Sequence, residues 1–396
     1  MAPSHVSLAA ALLLVGTATG SLIPGRYTAL WGAPWPTECA VPPQSLPDFA
    51  GFRISTNPGD VFRGPVVNCI YDFGLLPYYK GMGPGGNCAD GDWNCTKATA
   101  MYGGIPQLTN LTAHLLQLKA DLEEQLPDPH WSGVASIDWE FWKPTYRANT
   151  YNEYWIFINR SEALVQSQHP DWGPEQVAVE AEKQFDVAAQ AFWTESINLA
   201  KKLRPNGVWG WYNFPGDCQE FDTELEWLYD SVTALFPSIY ITTNDPAKNV
   251  ALVDEFMAET RRLRGEIAAR SGRVLPMYSF TWKDYDGLNN YGYLSAADVE
   301  AEFVRGALGW GLTGTIVWGG SLDVLNATRC GNGPASIGAY VNHTLGPALL
   351  RAANEADDCS KRRCSQHGTC WDGGGGEGKR CDCDAGWKGS DCSKKS

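Results

Sequence analysis

A short segment near the middle of the chain carries two carboxylates in a setting suited to acid–base chemistry. Residues 133–144 read GVASIDWEFWKP, so an apolar run leads directly into Asp138, Trp139 and Glu140. The apolar run predicts a buried strand, and Pro144 limits how far that strand can extend. Side chains two apart on a strand point the same way. We therefore expect Asp138 and Glu140 to project together and Trp139 to face the other side.

This carboxylate pair predicts a general acid. Two carboxylates so close together cannot both ionise freely, so one of them should hold a proton near neutral pH. Trp139, Phe141 and Trp142 surround the pair in the sequence, and apolar walls raise a carboxyl pKa, as they do for the acid of glycosidases. Because aromatic faces also stack on sugar rings, the residue types indicate chemistry on a glycan.

Alternating strands and helices are predicted to position this segment. Apolar or aromatic runs recur near residues 27–32, 50–54, 65–71, 133–138, 207–212, 238–242, 274–280 and 313–318. Helical periodicity lies between them, at about 108–122, 177–192, 222–236, 246–271 and 295–309. Alternation repeated this often predicts a parallel sheet, and a chain of 396 residues favours a closed (β/α) barrel of TIM type over an open sheet.

A barrel of this type places its catalytic residues at the carboxyl ends of its strands. On the predicted strand bounds, one carboxylate pair and five aromatic side chains fall at or just past such ends: Asp138, Glu140, Tyr71, Tyr212, Tyr240, Tyr278 and Trp318. Their convergence predicts an aromatic cleft around the two carboxylates.

Composition and the chain ends predict a protein of the secretory pathway. Residues 6–15 are apolar but too short to span a bilayer, and small residues follow, so residues 1–20 are predicted to be a signal peptide. Twelve cysteines then imply disulfides. No membrane anchor is predicted, because the sequence shows no hydrophobic tail. The net charge of −14 argues against nucleic acid and anionic membranes as partners. Glycosylation is predicted at five sequons: Asn94, Asn110, Asn159, Asn326 and Asn342.

Residues 136–144 resemble the active-site signature of the animal hyaluronidases, the glycoside hydrolases of sperm, lysosomes and venoms. Six further segments match the same family: residues 62–65, 71–79, 104–106, 163–172, 237–240 and 345–347. The resemblance extends over roughly residues 27–392. It implies a distorted barrel of about seven strands, in agreement with the alternation of elements.

The resemblance also implies a mechanism in which the substrate's own acetamido oxygen is the nucleophile. Glu140 would be the general acid and Asp138 would hydrogen-bond near the acetamide, while Tyr212 would donate to the acetamido carbonyl. Substrate-binding roles are expected for six further residues: Tyr71, Trp142, Lys143, Tyr240, Tyr278 and Trp318. Lys143 stands where vertebrate members carry Arg, and the loop after Tyr212 departs from the family pattern.

Six cysteines near the end of the chain have the spacing of an EGF-like module, Cys359-x4-Cys364-x5-Cys370-x10-Cys381-x-Cys383-x8-Cys392. Resemblance to that module implies 1–3, 2–4 and 5–6 pairing. The predicted domains are therefore a barrel over residues 21–355 and an EGF-like module over 356–396.

The partners of the other six cysteines stay open in the sequence. The family bridge corresponds to Cys39 with Cys330. Cys88 and Cys95 are near neighbours in a Gly-rich loop, and pairing them leaves Cys69 and Cys218 for each other.

We predict a secreted, or alternatively lysosomal, endo-acting hydrolase that cuts hyaluronan next to N-acetylglucosamine. Chondroitin is an alternative substrate for the same chemistry, and a catalytically weak glycan-binding or adhesion protein is an alternative function. No cofactor is predicted, because the six His lack metal-ligand spacing and the glycine run 373–376 has no flanking strand and helix.

Overall fold

The architecture is an alternation of parallel strands and helices followed by a small disulfide-linked tail. A computed structural model of the protein describes residues 26–33, 47–71, 73–81, 98–150, 154–216, 218–221, 223–285, 292–319, 336–374 and 378–396. Thirteen strands lie within these ranges: β1 Thr28–Trp31, β2 Ile54–Ser55, β3 Val67–Ile70, β4 Tyr78–Lys80, β5 Thr99–Met101, β6 Val134–Ile137, β7 Val208–Trp211, β8 Tyr278–Trp282, β9 Gly314–Trp318, β10 Gly368–Trp371, β11 Arg380–Cys383, β12 Trp387–Lys388 and β13 Lys394–Lys395.

The helices of the described ranges cover the outside of the sheet. The α-helices are α1 Leu111–Gln125, α2 Trp155–Gln168, α3 Pro174–Leu203, α4 Glu226–Ser231, α5 Pro246–Ser271, α6 Ala296–Val299, α7 Arg305–Trp310, α8 Ile337–Tyr340 and α9 Gly346–Arg363. Single π-helical segments join α6 to α7 and α8 to α9, at Glu300–Val304 and Val341–Leu345. Short 3₁₀ turns lie at Pro58–Asp60, Pro106–Leu108, Tyr146–Asn149 and Gln219–Phe221.

The long strands form one parallel ring. Two ladders, in the orders β2-β1-β9-β8 and β3-β6-β7, pair in parallel throughout. Residues 235–238 join them on one side, because Leu235 bridges to Met277 and Ser238 bridges to Phe280 while Phe236 bridges to Tyr212. On the other side the buried Asn57 side chain accepts from the Val67 N–H at 3.1 Å and donates to the Val67 carbonyl at 2.9 Å. The expected distorted (β/α) barrel is therefore confirmed.

Small side chains in the barrel interior make room for large ones. Strand register aligns Cys69 with Ser136 and Ser136 with Gly210 in one interior layer. A Cβ atom on Gly210 would lie 2.5 Å from the Phe236 ring, so only glycine fits at this position. Phe236 packs there with other buried side chains, among them Phe280. The interior is thus a filled core that holds the strand ends at fixed distances.

A second core lies between the ring and the outer helices. Trp139, at the end of β6, turns outward and packs against Trp193 of α3 and Trp211 of β7, with ring centroids 5.6 and 4.9 Å apart. The alternation expected for the carboxylate segment is therefore present. Trp139 belongs to the support of the strand end and not to a wall around the carboxylates.

The tail is cross-linked and docked on the barrel. Its disulfides join Cys359 to Cys370, Cys364 to Cys381 and Cys383 to Cys392, the pairing that the EGF-like resemblance implies. Cys359 lies on α9, so the helix runs past the boundary expected between residues 355 and 356.

One expected disulfide is wrong. Cys69 and Cys218 are not bonded to each other, because the Cys69 thiol is free and buried inside the barrel. Cys218 lies beyond the end of β7, in the loop that departs from the family pattern. Several other predictions fall outside the described residues: the signal peptide, Cys39, Cys330, Cys88, Cys95, Asn94 and Asn326.

The three described sequons differ in exposure. Asn110 is exposed at the N-cap of α1 and Asn159 is exposed on α2, whereas Asn342 is half-buried and accepts from the Asp48 N–H. Glycosylation stays a prediction at all three. Among the helices of the described ranges, none is both long and apolar enough to cross a bilayer.

Candidate active site

Strand register brings three of the predicted residues to one level of the barrel. Ile70, Ile137 and Trp211 are aligned neighbours in β3, β6 and β7, so the residues that follow them are aligned as well. The Asp138 N–H donates to the Ile70 carbonyl at 2.9 Å, and the Tyr212 N–H donates to the Ile137 carbonyl at 2.9 Å. Tyr71, Asp138 and Tyr212 therefore meet at the carboxyl ends of three adjacent strands.

Both carboxylates act electrostatically on the tyrosines of this site. Burial raises the pKa of Tyr71 well above its ordinary range, and the charges of Asp138 and Glu140 raise it further. Burial also raises the pKa of Tyr212, to which Glu140 and Asp138 again contribute. Glu140 is exposed while Asp138 is half-buried, so the pair presents one accessible and one sheltered carboxyl group.

Tyr240 extends the site beyond Tyr212. The Tyr212 hydroxyl donates to the Tyr240 hydroxyl oxygen at 3.0 Å, and burial raises the pKa of Tyr240 strongly. The Tyr240 ring lies 5.6 Å from the ring of Trp282, the last residue of β8. Trp282 is aligned with Trp318 at the end of β9. These residues continue the rim from β7 to β9.

Aromatic contacts close the rim between β9 and β3. Trp318 lies 6.5 Å from the Tyr71 ring and 5.5 Å from the Phe62 ring, measured between ring centroids. The Arg63 guanidinium lies 5.8 Å from the Phe62 and Tyr71 ring centroids. Tyr71, Tyr240 and Trp318 are thus placed where the sequence predicted, and they surround the carboxylate pair on both sides.

Two of the predicted substrate-binding residues do not lie in the cleft, so their predicted positions are wrong. Trp142 is only 1% exposed, its indole N–H donates to the Pro77 carbonyl at 3.0 Å, and its ring packs on Phe185 in the outer core. Tyr278 is the first residue of β8 and not its last, so it lies at the opposite end of the strand from the carboxylates. Tyr278 is also 4% exposed and belongs to the barrel interior. Neither side chain reaches the cleft.

Lys143 is half-buried and follows Glu140 closely in the chain. Its ammonium lies 5.1 Å from the centroid of the Tyr154 ring, and its backbone N–H donates to Asn149 Oδ1 at 2.8 Å. Asn149 is buried and also donates to the Lys143 carbonyl. Lys143 therefore has a fixed backbone and an aromatic contact that orients its charge.

Three rim residues were missed by the sequence reasoning. The predicted strand over 274–280 stops two residues before Trp282, although Trp282 shares a strand face with Phe280. Phe62 and Arg63 lie in a segment that was matched to the family but given no role. No pattern in the sequence alone shows that Phe62 and Arg63 contact Tyr71.

The arrangement can hold a sugar and transfer a proton to it. A cleft lined by aromatic rings presents flat apolar faces, while Glu140 supplies an exposed carboxyl and Tyr212 a hydroxyl with a raised pKa. Within the described ranges, no three His, Cys, Asp or Glu side chains are grouped to hold a metal ion. The polar groups of the cleft are those of a glycoside hydrolase that works with carboxyl chemistry.

Comparison with known proteins places the chain among such enzymes. A family model described as Hyaluronidase matches residues 19–373. The chain is 33% identical over 368 residues to hyaluronidase-1 of Bos taurus, covering 87% of this chain and 75% of that protein. It is 28% identical over 398 residues to a protein of Caenorhabditis elegans named chondroitin hydrolase, covering 93% of this chain and 80% of that protein.

The fold agrees with that of a solved relative. The crystal structure of bee venom hyaluronidase in complex with a hyaluronic acid tetramer matches with a TM-score of 0.69 and 27% identity, covering 83% of this chain and 100% of that one. Sequence and fold comparisons therefore agree over most of the chain. The chain belongs to the hyaluronidase family of glycoside hydrolases.

Proposed function

We propose that the protein hydrolyses hyaluronan inside the polymer, at the 1,4 linkage between N-acetylglucosamine and glucuronate. One observation carries this proposal: strand register aligns Tyr71, Asp138 and Tyr212 at the carboxyl ends of adjacent strands, beside an exposed Glu140. Carboxylate and hydroxyl groups at such strand ends are where barrel enzymes carry out chemistry. A bee venom relative was solved with a hyaluronic acid tetramer, which supports this substrate.

Glu140 is the proposed general acid. It is exposed, so it is accessible to a glycosidic oxygen that enters the cleft, and it lies close enough to Tyr71 and Tyr212 to act on their pKa values. After protonating the leaving oxygen, the Glu140 carboxylate activates the water that completes hydrolysis. Asp138 is more sheltered and is suited to orient the substrate's acetamide.

The acetamido oxygen of the substrate is the proposed nucleophile. Asp138 and Glu140 follow one strand on the same side, so Asp138 is poorly placed to reach the opposite face of the sugar ring. A retaining enzyme with a protein nucleophile needs its second carboxylate about 5 Å from the acid, across the scissile bond. Tyr212, whose pKa is raised by burial, stays protonated. When substrate binds, its single O–H turns from the Tyr240 oxygen to the acetamide and donates to it as it cyclises.

The substrate is tested by incubating the purified protein with hyaluronan and with chondroitin and sizing the products over time. We expect hyaluronan to shorten rapidly to a broad distribution, because an endo-acting enzyme cuts at random positions. Exclusive shortening of chondroitin would replace the proposed substrate with the second candidate, which the Caenorhabditis elegans relative favours by its name. Cleavage of neither polymer would overturn the proposed function.

The nucleophile is tested with hyaluronan stripped of its N-acetyl groups. Turnover of this polymer should fall far more than its binding, because the attacking oxygen is missing while the sugar rings remain. A thiazoline that mimics the cyclised sugar should inhibit. A covalent sugar trapped on Asp138 or another side chain with a fluorinated substrate would contradict the mechanism.

We infer that the protein passes through the secretory pathway and is secreted. Three disulfides in the tail support an oxidising compartment, since such bonds are rare in the cytosol. The apolar segment at residues 6–15 and the five sequons support the same route. Expression of the full chain in animal cells should place it in the medium, whereas retention inside lysosomes would contradict secretion.

A further inference from the structure

An exposed group of aromatic rings lies directly beside the proposed acid. Phe141 follows Glu140 in the chain and is 40% exposed, and its ring stacks on Tyr78 of β4 with centroids 4.7 Å apart and planes 26° apart. Tyr102, just past β5, is 46% exposed and lies 6.4 Å from Tyr78. We call Tyr78, Tyr102 and Phe141 the aromatic platform.

Local backbone geometry holds the platform in place. β4 and β5 pair antiparallel with Tyr78 opposite Met101, so Tyr102, the residue after β5, lies next to the strand that carries Tyr78. Tyr102 has a φ of 53°, a conformation that bulky side chains rarely adopt. Such backbone strain persists where the surrounding structure imposes it, and it is concentrated at binding and catalytic sites.

A cation accompanies the rings. Lys80 is exposed and lies two residues after Tyr78 on β4, so the two side chains share one face of that strand. Lys80 therefore places a positive charge beside the flat apolar rings of the aromatic platform. A pyranose that carries a carboxylate has the matching chemistry, because its C–H face packs on an aromatic ring and its charge is attracted to an ammonium group.

We propose that the aromatic platform is a further sugar subsite, which binds the uronate next to the N-acetylhexosamine under attack. This inference rests on the proposed function, because it assumes that a polymer of alternating uronate and N-acetylhexosamine occupies the cleft. Either sugar that adjoins the hexosamine in such a polymer is a uronate. Phe141 directly follows Glu140 in the chain, and Tyr78 of β4 follows Tyr71 after a short segment, so two members of the platform come from segments that adjoin the reacting site.

Binding to the platform is measured in a Glu140→Gln background, which retains the polymer uncut. Adding Phe141→Leu should raise the Kd for hyaluronan about tenfold, since leucine keeps apolar bulk but loses the flat face that stacks. Phe141→Tyr should restore the affinity. Leu116→Ala, which removes an exposed apolar side chain from α1, is the matched control and should not change the Kd.

The uronate is tested with hyaluronan whose carboxylates have been reduced to alcohols. Lys80→Gln should weaken binding of native hyaluronan several-fold and leave binding of the reduced polymer unaffected. Equal weakening of both polymers would overturn the uronate assignment, and equal Kd values with and without the Phe141→Leu change would overturn the subsite.

The same experiment separates this inference from the proposed function. If the wild-type protein cuts hyaluronan while the Phe141→Leu change leaves the Kd unaltered, only the platform fails. If the wild-type protein neither cuts nor binds hyaluronan or chondroitin, the proposed function fails and the platform with it.

Discussion

At the scale of single residues, burial decides which groups can donate protons in the cleft. Tyr212 and Tyr240 share a hydrogen bond, and burial raises the pKa of both hydroxyls above the ordinary value of 10.0. Both tyrosines therefore remain protonated across the whole range of physiological pH. By turning its O–H away from Tyr240, Tyr212 can act as a hydrogen-bond donor to an oxygen that gains charge during the reaction.

We predict that Tyr212→Phe lowers kcat for hyaluronan about a hundredfold, because removing one donor to a developing charge commonly costs that much. Tyr278→Phe is the matched control, since the same hydroxyl is removed from the buried start of β8. It should leave kcat nearly unchanged, because Tyr278 lies at the opposite end of β8 from the carboxylates. Comparable losses in both variants, measured by initial rates, would remove the proposed role from Tyr212.

At the scale of elements, a buried histidine joins two helices to the segment that precedes β4. His114 of α1 accepts from the Leu75 N–H through Nδ1 at 2.9 Å, so its Nε2 carries the proton that is shared with Ser196 of α3 at 2.8 Å. Burial lowers the pKa of His114 to about 4 from 6.5. The folded protein therefore contains the neutral ring.

This shift predicts a pH dependence of stability. A proton binds His114 less tightly in the folded than in the unfolded protein, so the stabilisation is fully present above pH about 6.5 and is lost as the pH falls towards about 4. We therefore compare the free energies of unfolding of wild type and His114→Gln. The value for wild type minus that for the variant should fall by up to about 3 kcal/mol as the pH is lowered through this interval.

Denaturant unfolding at several pH values measures this difference. The subtraction removes the effect of Asp186, whose pKa burial raises to about 6 and whose contribution to stability grows as the pH falls. A difference between wild type and variant that does not change with pH would show that His114 keeps an ordinary pKa.

Element existence was predictable from the sequence more often than element boundaries. The periodicity of residues 246–271 gave the bounds of α5, because Asp245 caps its first turn and Gly272 ends it in a left-handed conformation. For β8, the apolar run did not show at which residue the strand begins and ends. Tyr278 was therefore predicted at the end of the strand, whereas it is the first residue. The strand predicted at 238–242 forms one isolated bridge, between Ser238 and Phe280, instead of a regular ladder.

Other features depend on tertiary contacts and could not be read from local pattern. α2 and the run from α8 to α9 were not predicted, and the helix expected at 222–236 is reduced to Glu226–Ser231. Trp142 was expected in the cleft from its proximity to Glu140, but α3 supplies the aromatic partners that draw it into the outer core.

At the scale of the whole molecule, one acidic residue pairs the tail module with two arginines of the barrel domain. Asp382 of β11 accepts from Arg261 at 2.8 Å and from Arg264 at 2.7 Å, and both arginines belong to α5. Arg261 also lies 3.4 Å from the centroid of the Trp371 ring. Burial would raise the pKa of Asp382, but the charges of Arg264 and Arg261 outweigh it and hold the pKa below its ordinary value.

We predict that Asp382→Asn destabilises the protein by about 3 kcal/mol, because it leaves two largely buried arginines without their counter-charge. Asp358→Asn is the matched control, since it breaks an exposed pair with Arg362 within one helix and should cost less than about 1 kcal/mol. Thermal unfolding measures both variants. Equal small effects would show that the module does not depend on this contact.

The central claim, that Glu140 is the acid of a glycosaminoglycan hydrolase, is tested most directly by the rate at which Glu140→Gln shortens hyaluronan. Glutamine keeps the size of the side chain but cannot deliver the proton. We expect the variant, with an unchanged circular dichroism spectrum, to bind the polymer and cut it at least about a hundredfold more slowly than wild type. A folded variant that cuts at the wild-type rate would contradict the assignment.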